Sequence, residues 1–389
     1  MPFTVPQIML TLAGLSYRGF ANPVPGQSHT DGVRRALLDG LATLPPVRNE
    51  WSLVWGPATA RDGGDLFDSA GMYVVRSQQP PTRHVVVIRG TNPISATDWL
   101  WGDFWVWKTA PWPGDAAGNA QVSMSTERGL RQLQAMRSPR VVLPPAEDPA
   151  RPAATQTALD TQTDKLTAFW RSLAHDPFAW LADKVAQLAA AVPSGPVSGG
   201  AGLDLPALLK GEAQSAGAAL DVTVTGHSKG GALAPVVALW FKELLASANP
   251  SDRWDGGHGA RVSCYAFAGP TPGNAAFAAR IEQALGPDYH HLRNMKDVVT
   301  HAWQEDELGQ VQNLYAPRSL APAPLLPLIS ERVRRFGYRQ PAGVGVRTFD
   351  GQLDANRSAE LEFVHQHLEA YLAELNLLKD GVTPLTLFF

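Results

Sequence analysis

The sequence predicts an α/β protein whose mainly parallel sheet is flanked by helices and interrupted by one large insertion. Strand-like runs alternate with helix-like stretches along most of the chain, which favours a parallel sheet. The run VVVI at 85–88 is continuously apolar, as expected of a strand that is buried on both faces. A hydrophobic content of 44% and a charged content of 18% over 389 residues exclude a disordered chain.

The core begins within the first ninety residues. An apolar pattern predicts a helix over 33–44, and two strand-like runs follow at 72–76 and 84–89. We therefore assign residues 1–91 to the first part of an α/β core.

Residues 92–220 differ in composition and predict an inserted, largely helical, tryptophan-rich cap. Proline- or glycine-rich segments at 143–155 and 193–202 flank a stretch with helical spacing of apolar residues. The insertion begins with a tryptophan-dense stretch, in which the indoles are Trp99, Trp101, Trp105, Trp107 and Trp112. Indole rings favour lipid–water boundaries, so this stretch can form a lid or an acyl-binding wall. For most of these rings, simple packing of the insertion onto the core is the favoured explanation, and one or two are left to line a pocket.

The core resumes at 221 and continues to 389. Strand-like runs at 221–225, 261–267 and 290–293 are separated by a helical apolar run at 233–245. The tail over 360–378 has a helical pattern.

The charge balance, the cysteine count and the first residues exclude several classes of protein. A net charge of −3 and the lack of a basic tract argue against nucleic-acid binding. Cys264 is the only cysteine, which excludes an intrachain disulfide and a cysteine-based metal site. We expect neither a secretory signal nor a transmembrane helix, and hence a cytoplasmic location or export by a signal-free route.

A Gly-x-Ser-x-Gly pattern at Gly226, Ser228 and Gly230 carries the strongest chemical signal. A β-branched strand precedes it and an apolar helix follows, which is the context of a nucleophilic serine on a tight strand-to-helix turn. Small residues are needed two positions before and after the serine because the two backbones nearly touch there. The helix N-terminus favours developing negative charge, and the backbone N–H of Lys229 is a candidate oxyanion donor.

Four segments resemble the class 3, fungal-type triacylglycerol lipases of the α/β-hydrolase fold, and especially their bacterial members. GHSKGGALAPVVALW, from position 226, resembles the nucleophile elbow of that family. HVVVIRGTN from position 84 resembles its oxyanion strand, and YAFAGPTPGN from position 265 resembles the strand and turn after the elbow. LRNMKDVVTHAW from position 292 resembles its acid segment. Lys229 stands where leucine is common, but only its backbone N–H is needed.

The resemblance implies a catalytic triad of Ser228, Asp297 and His367. The spacing Asn-x-x-Asp-x-Val selects Asp297 over four other candidates, which are Asp288, Asp306, Asp350 and Asp354. In this fold the base follows the acid along the chain, which leaves three histidines. His301 lies only four residues from Asp297 and is expected to brace that loop. His367, with Tyr371, fits a Gln-His-x-x-x-Tyr form, and His365 stays as the alternative base.

The same resemblance assigns the second oxyanion donor to Thr91, through its backbone N–H and its hydroxyl. Together these residues predict a serine carboxylester hydrolase that cleaves hydrophobic esters such as acylglycerols through an acyl-enzyme on Ser228. Neither a metal nor an organic cofactor is implied. The expected partner is a lipid or another hydrophobic ester, with transient contact between the Trp-rich cap and a lipid interface. The alternatives are a phospholipase or acyltransferase with the same triad, and a non-catalytic effector with a vestigial elbow.

Overall fold

A seven-stranded sheet with the order β1-β2-β3-β6-β7-β8-β9 forms the centre of the protein in the computed structural model. The structure describes residues 3–18, 29–61, 68–90, 106–138, 202–318 and 326–388. The strands are β1 (Trp51–Arg61), β2 (Asp68–Ser77), β3 (Arg83–Ile88), β4 (Thr109–Pro111), β5 (Gln121–Ser123), β6 (Asp221–His227), β7 (Arg261–Phe267), β8 (Tyr289–Asn294) and β9 (Gly345–Phe349).

Helices cover both faces of this sheet. The described helices, of which α7, α8 and α9 contribute to a separate cluster, are α1 (Val5–Leu15), α2 (His29–Thr43), α3 (Met124–Ala135), α4 (Leu205–Ala216), α5 (Lys229–Leu245), α6 (Ala275–Leu285), α7 (Glu305–Val311), α8 (Leu326–Arg334), α9 (Ala359–Val364), α10 (Ala370–Glu374) and α11 (Pro384–Phe388). A π-helical turn (His365–Glu369) joins α9 to α10, and short 3₁₀ turns span Pro250–Asp252, Gly286–Asp288, Val298–His301 and Leu377–Asp380.

Strands β3, β6, β7, β8 and β9 run parallel to one another, whereas β1 and β2 form an antiparallel edge of the sheet. Ile88 of β3 pairs with Gly226 of β6, and Gly226 pairs with Ala266 of β7. Parallel strands end at a common edge of the sheet, and ligands bind at that edge in open α/β folds. The predicted fold class is confirmed, and the strand register brings the chain after β3, β6, β7 and β8 to one edge.

Side chains that alternate along the strands divide the core into two layers. One layer packs the sheet against α3, α4, α5 and α6, and the other packs it against α1, α2, α10 and α11. On β3, for example, Val86 and Ile88 face the first layer while Val85 and Val87 face the second. This burial on both faces explains why 85–88 reads as an uninterrupted apolar run.

A third apolar cluster lies outside these two layers, and the sequence did not indicate it. It combines Val106 with the 3₁₀ turn after β8, with α7 and α8, and with Phe363 of α9. Within the predicted core segment 221–389, the chain between β8 and β9 contributes this separate cluster. Its helices are short, so their apolar spacing gives little periodic signal.

Two described parts of the predicted insertion, residues 106–138 and 202–220, pack with the central core, whereas residues 92–105 lie outside the described residues. Leu130 and Leu133 of α3 and Leu208 and Leu209 of α4 belong to the same layer as the central strands. Residues 139–201, the middle of the predicted insertion, lie outside the described residues. In the described part of the chain, no helix combines the length and the hydropathy that a membrane span requires.

Candidate active site

Ser228 stands on a strained turn between β6 and α5. Its φ of 61° and ψ of −127° place a non-glycine residue in a region that L-residues rarely adopt. Its backbone N–H donates to Phe267 O at 2.9 Å, and its carbonyl accepts the N–H of Ala232 at 3.1 Å. The turn is therefore held by β7 on one side and by the first turn of α5 on the other.

Three glycines allow this turn to form because backbone atoms occupy the space of a side chain. A Cβ on Gly226 would lie 2.3 Å from Gly230 O, and a Cβ on Gly230 would lie 2.2 Å from Ile88 O. A Cβ on Gly231 would lie 2.3 Å from Phe267 O. These contacts are with backbone, which cannot move aside, so the spacing of small residues in the motif follows directly from the close approach of β3, β6, β7 and α5.

Asp297 and His367 meet at the same sheet edge. His367 Nδ1–H donates to Asp297 Oδ2 at 2.9 Å, and both side chains are fully buried. Asp297 Oδ1 accepts the Val299 N–H at 2.9 Å, and the Tyr371 hydroxyl donates to Oδ2 at 3.0 Å. With the proton on Nδ1, the lone pair of His367 lies on Nε2, which is the form that a general base requires.

Asn294, at the end of β8, links the acid loop to the turn that carries His367. Its Oδ1 accepts the N–H groups of Lys296 and Gly351, at 3.0 and 2.9 Å. Its Nδ2 donates to the backbone and side-chain oxygens of Gln366, at 2.9 and 2.8 Å. These contacts give a physical reason for an asparagine three residues before Asp297.

The other two candidate histidines lie in different environments. His365 Nδ1 is 3.2 Å from Glu369 Oε2, one helical turn away and partly exposed. His301 Nε2–H donates to Met295 O at 3.1 Å, and His301 Nδ1 is 3.3 Å from Glu307 Oε2, so this residue braces the acid loop. Of the three histidines, the structure brings His367 to Asp297.

Ser228 Oγ and His367 Nε2 are buried and have unused hydrogen-bonding capacity. Within the described residues, neither Ser228 Oγ nor His367 Nε2 forms a hydrogen bond, and each residue is only 1% exposed. The serine–histidine hydrogen bond is thus not formed in this structure. In enzymes without substrate this bond is often long, and it tightens when substrate binds.

Two further residues lie next to these atoms, Tyr17 and His227, and the sequence did not indicate a function for either. His227 Nε2–H donates to His367 O at 2.9 Å, and the Tyr17 hydroxyl lies 3.0 Å from His227 Nδ1. Burial, together with the neighbouring His367, lowers the pKa of His227 well below 6.5, so its ring is neutral. A histidine at the end of β6, directly before Ser228, was an available signal for His227, whereas Tyr17 lies far away in the sequence and gives none.

The predicted oxyanion hole is only partly described. Lys229 begins α5, directly after Ser228, so its backbone N–H lies at the N-terminus of that helix. Thr91 lies outside the described residues, and its assignment stays a prediction. The preceding Gly90 is in close contact with the site, since a Cβ there would lie 2.0 Å from the Tyr17 hydroxyl oxygen.

Two of the five clustered tryptophans are described, and both pack against apolar surfaces. Trp107 packs against the third apolar cluster, while Trp112 is buried in the core layer with its Nε1–H donating to Glu243 Oε1 at 2.9 Å. Trp99, Trp101 and Trp105 lie outside the described residues. A packing function therefore accounts for both described indoles.

Comparisons with known proteins find similarity to lipases. The family profile described as Lipase (class 3) matches residues 204–307, which include the elbow and the acid segment. The crystal structure of M37 lipase superposes with a TM-score of 0.69 at 24% identity, over 97% of this chain and 95% of that chain. Lipase II from Rhizopus niveus matches with a TM-score of 0.36 at 16% identity, over 78% of this chain and 77% of that chain. Among curated proteins, no sequence matches this chain. The predicted resemblance to the class 3 lipases is confirmed for residues 204–307, and the M37 match shows the same fold.

Proposed function

We propose that this chain, with its class 3 lipase segment and lipase-like fold, is a serine carboxylester hydrolase of the lipase/esterase type. The observation that carries the proposal is the buried Asp297–His367 pair, whose free Nε2 lies at the same sheet edge as the strained Ser228. A positioned nucleophile, a base and a group that orients the base are the parts that acyl transfer needs.

The reaction proceeds through an acyl-enzyme. Ser228 Oγ attacks the ester carbonyl while His367 Nε2 takes the hydroxyl proton, and Asp297 stabilises the imidazolium. The backbone N–H of Lys229, together with Thr91, stabilises the tetrahedral oxyanion. His367 then gives its proton to the departing alcohol. Water, activated by the same histidine, finally releases the carboxylic acid and restores Ser228.

Hydrophobic esters such as acylglycerols are the substrate class that fits best. The class 3 lipase match supports lipid esters as substrates. The third apolar cluster also extends to the proposed base, because the ring of its member Phe363 stacks on the His367 ring with 5.9 Å between the ring centroids. The Trp-rich stretch supplies transient contact with a lipid surface in this proposal.

Fluorophosphonate labelling of the folded protein tests the nucleophile. We expect one adduct, on Ser228, and none in Ser228→Ala. Ser263→Ala is the matched control because Ser263 lies on β7, where its hydroxyl is within 2.9 Å of Thr223 Oγ1. Wild-type protein that stays unlabelled would reject the hydrolase and favour a non-catalytic effector.

A substrate panel tests the ester class. It compares short soluble esters, emulsified triglycerides and phospholipid vesicles, each with and without an acceptor alcohol. We expect release of free acid from acylglycerols. Preferential cleavage of phospholipid would assign a phospholipase, and transfer of the acyl group to the added alcohol at the expense of hydrolysis would assign an acyltransferase.

A further inference from the structure

We propose that Tyr17 and His227 are positioning residues, which form a hydroxyl–imidazole–carbonyl bridge that holds the turn of His367 against the nucleophile elbow. The inference rests on the proposed function, because it concerns the placement of the base in that reaction. It gives a function to His227, which directly precedes Ser228, and to Tyr17, which follows α1.

The first link of the bridge joins His227 to the backbone of the base. A carbonyl oxygen can only accept, so the 2.9 Å contact between His227 Nε2 and His367 O requires a proton on Nε2. His227 is neutral, and its Nδ1 is therefore an acceptor. The accepting carbonyl belongs to the same residue as the base and lies in the π-helical turn His365–Glu369. Such turns interrupt the regular backbone ladder and are frequent at functional sites.

The second link joins Tyr17 to the elbow. The Tyr17 hydroxyl lies 3.0 Å from both His227 Nδ1 and His227 O, and these two acceptor atoms compete for its single proton. Burial raises the pKa of Tyr17 well above its usual value, while Arg89, the Gly90 backbone and the Ser228 side chain act in the opposite direction. The phenol is thus a donor at any working pH, and it lies beside both the end of β3 and the nucleophile.

The bridge is closed to water. Tyr17, His227 and His367 are each at most 3% exposed, and the rings of Phe388 and Tyr371 lie 5.4 and 5.9 Å from the His227 ring. Solvent cannot replace a hydrogen bond that is removed inside such an enclosure, so the remaining partner stays unsatisfied. Removing either donor therefore frees the turn of His367 to shift.

A small shift of this turn would affect the chemistry more than the binding of substrate. Asp297 fixes the ring of His367 at Nδ1, and His227 fixes the backbone of the same residue. These two points determine where Nε2 lies relative to Ser228 Oγ. Misplacement of a catalytic group by about 1 Å lowers turnover by about 100-fold.

Three variants and a matched control test the bridge on the full-length protein. Tyr17→Phe removes one hydroxyl and should lower kcat about tenfold, whereas His227→Leu removes the donor to His367 and should lower kcat about 100-fold, with KM nearly unchanged in both. His227→Gln keeps a donor and an acceptor and should restore most of the turnover. Tyr73→Phe is the control because the buried Tyr73 hydroxyl also donates to a backbone carbonyl, that of Leu12 at 2.5 Å, and takes no part in the bridge.

A spectroscopic readout separates this inference from the proposed function. The proton on His367 Nδ1, hydrogen-bonded to Asp297, gives a strongly downfield proton NMR signal that does not depend on turnover. We expect the signal to shift or broaden in Tyr17→Phe and His227→Leu and to stay unchanged in Tyr73→Phe. If it is unchanged in both site variants, or if their kcat equals that of Tyr73→Phe, the bridge has no positioning function. An inactive wild type with the expected NMR pattern would overturn the hydrolase while supporting the bridge.

Discussion

Three individual donor groups hold the side chain of Asp297, the candidate acid. Three donors meet the buried Asp297 carboxylate: the imidazole of His367, the Val299 N–H and the Tyr371 hydroxyl. A buried carboxylate is tolerated only when such donors satisfy it. The spacing around Asp297 could be recognised in the sequence through the family resemblance, but the contribution of Tyr371 depends on a contact between residues 74 positions apart.

The two histidines of the C-terminal segment should respond differently to substitution. His367→Ala removes the residue that contacts Asp297 and should lower kcat about 10³-fold or more, because the members of a triad act as a unit. His365→Ala removes a partly exposed contact with Glu369 and should change kcat by less than about threefold. Steady-state kinetics on one soluble ester measures both. Equal losses in the two variants would contradict the assignment of the base.

Tyr371→Phe should have an intermediate effect. It removes one of the two donors to Asp297 Oδ2 and leaves the His367 contact in place, so we expect kcat to fall about tenfold and KM to stay nearly constant. The Asn294 N–H, which donates to the Tyr371 oxygen at 3.0 Å, also loses its partner, and some loss of stability should follow. Tyr73→Phe again provides the stability control. A kcat equal to that of the wild type would show that Tyr371 does not orient the acid.

At the scale of elements, the turn between β6 and α5 follows from local sequence, whereas the third apolar cluster does not. A side chain at position 226, 230 or 231 would collide with backbone atoms, which belong to residues within about four positions of the turn or to adjacent strands. The glycine pattern in the sequence therefore predicts the geometry of this turn. The third cluster joins Val106 to α7, α8 and Phe363, which lie far apart in the chain. Short helices show little periodicity, and this is why the sequence did not indicate this cluster.

Two glycine-to-alanine substitutions separate the elbow from an ordinary helix. Gly226→Ala places a methyl group 2.3 Å from Gly230 O, so we expect loss of turnover and a free energy of unfolding lower by about 3 kcal/mol. Gly211→Ala, in the interior of α4, meets no atom within 4 Å and should raise the free energy of unfolding by about 0.5–1 kcal/mol with turnover unchanged. Urea unfolding and kinetics measure both. An active and stable Gly226→Ala would contradict the close approach.

For the molecule as a whole, buried neutral histidines should make stability depend on pH. Burial, with a smaller effect of Arg293, lowers the pKa of His291 to about 3, and its Nε2 accepts the Gly269 N–H at 3.3 Å. The pKa of His227 is also well below 6.5. Below pH 6.5 the unfolded chain binds protons that the folded protein does not, so stability is highest above pH 6.5 and falls as the pH decreases towards 3.

Each such histidine should lower the free energy of unfolding by about 1.4 kcal/mol per pH unit in this window. His291→Gln keeps an acceptor for Gly269 but does not titrate, so its stability should fall less steeply than that of the wild type. Urea unfolding between about pH 8 and pH 4 measures the two slopes, and carboxylates contribute equally to both. Parallel curves would show that His291 is not responsible.

The parallel sheet could be predicted because it follows from the alternation of strands and helices along the sequence. The parallel order of β3, β6, β7, β8 and β9 agrees with the predicted fold class. The packing of α1 and α11 behind the elbow was not predictable, because Tyr17 and Phe388 meet across the whole length of the chain. No local pattern encodes a contact between segments so distant in sequence.

That contact affects when the protein can acquire activity during its synthesis. Leu387 lies so close to Gly14 that a Cβ there would be 2.4 Å from Leu387 Cγ, and the Phe388 ring packs on Tyr17 and His227. A nascent chain whose position 388 is still inside the ribosomal exit tunnel can already have formed every strand that the structure describes, since the last of them ends at Phe349. In that chain the Phe388 ring does not yet pack on His227. We therefore expect ester cleavage to begin only after translation has passed position 388.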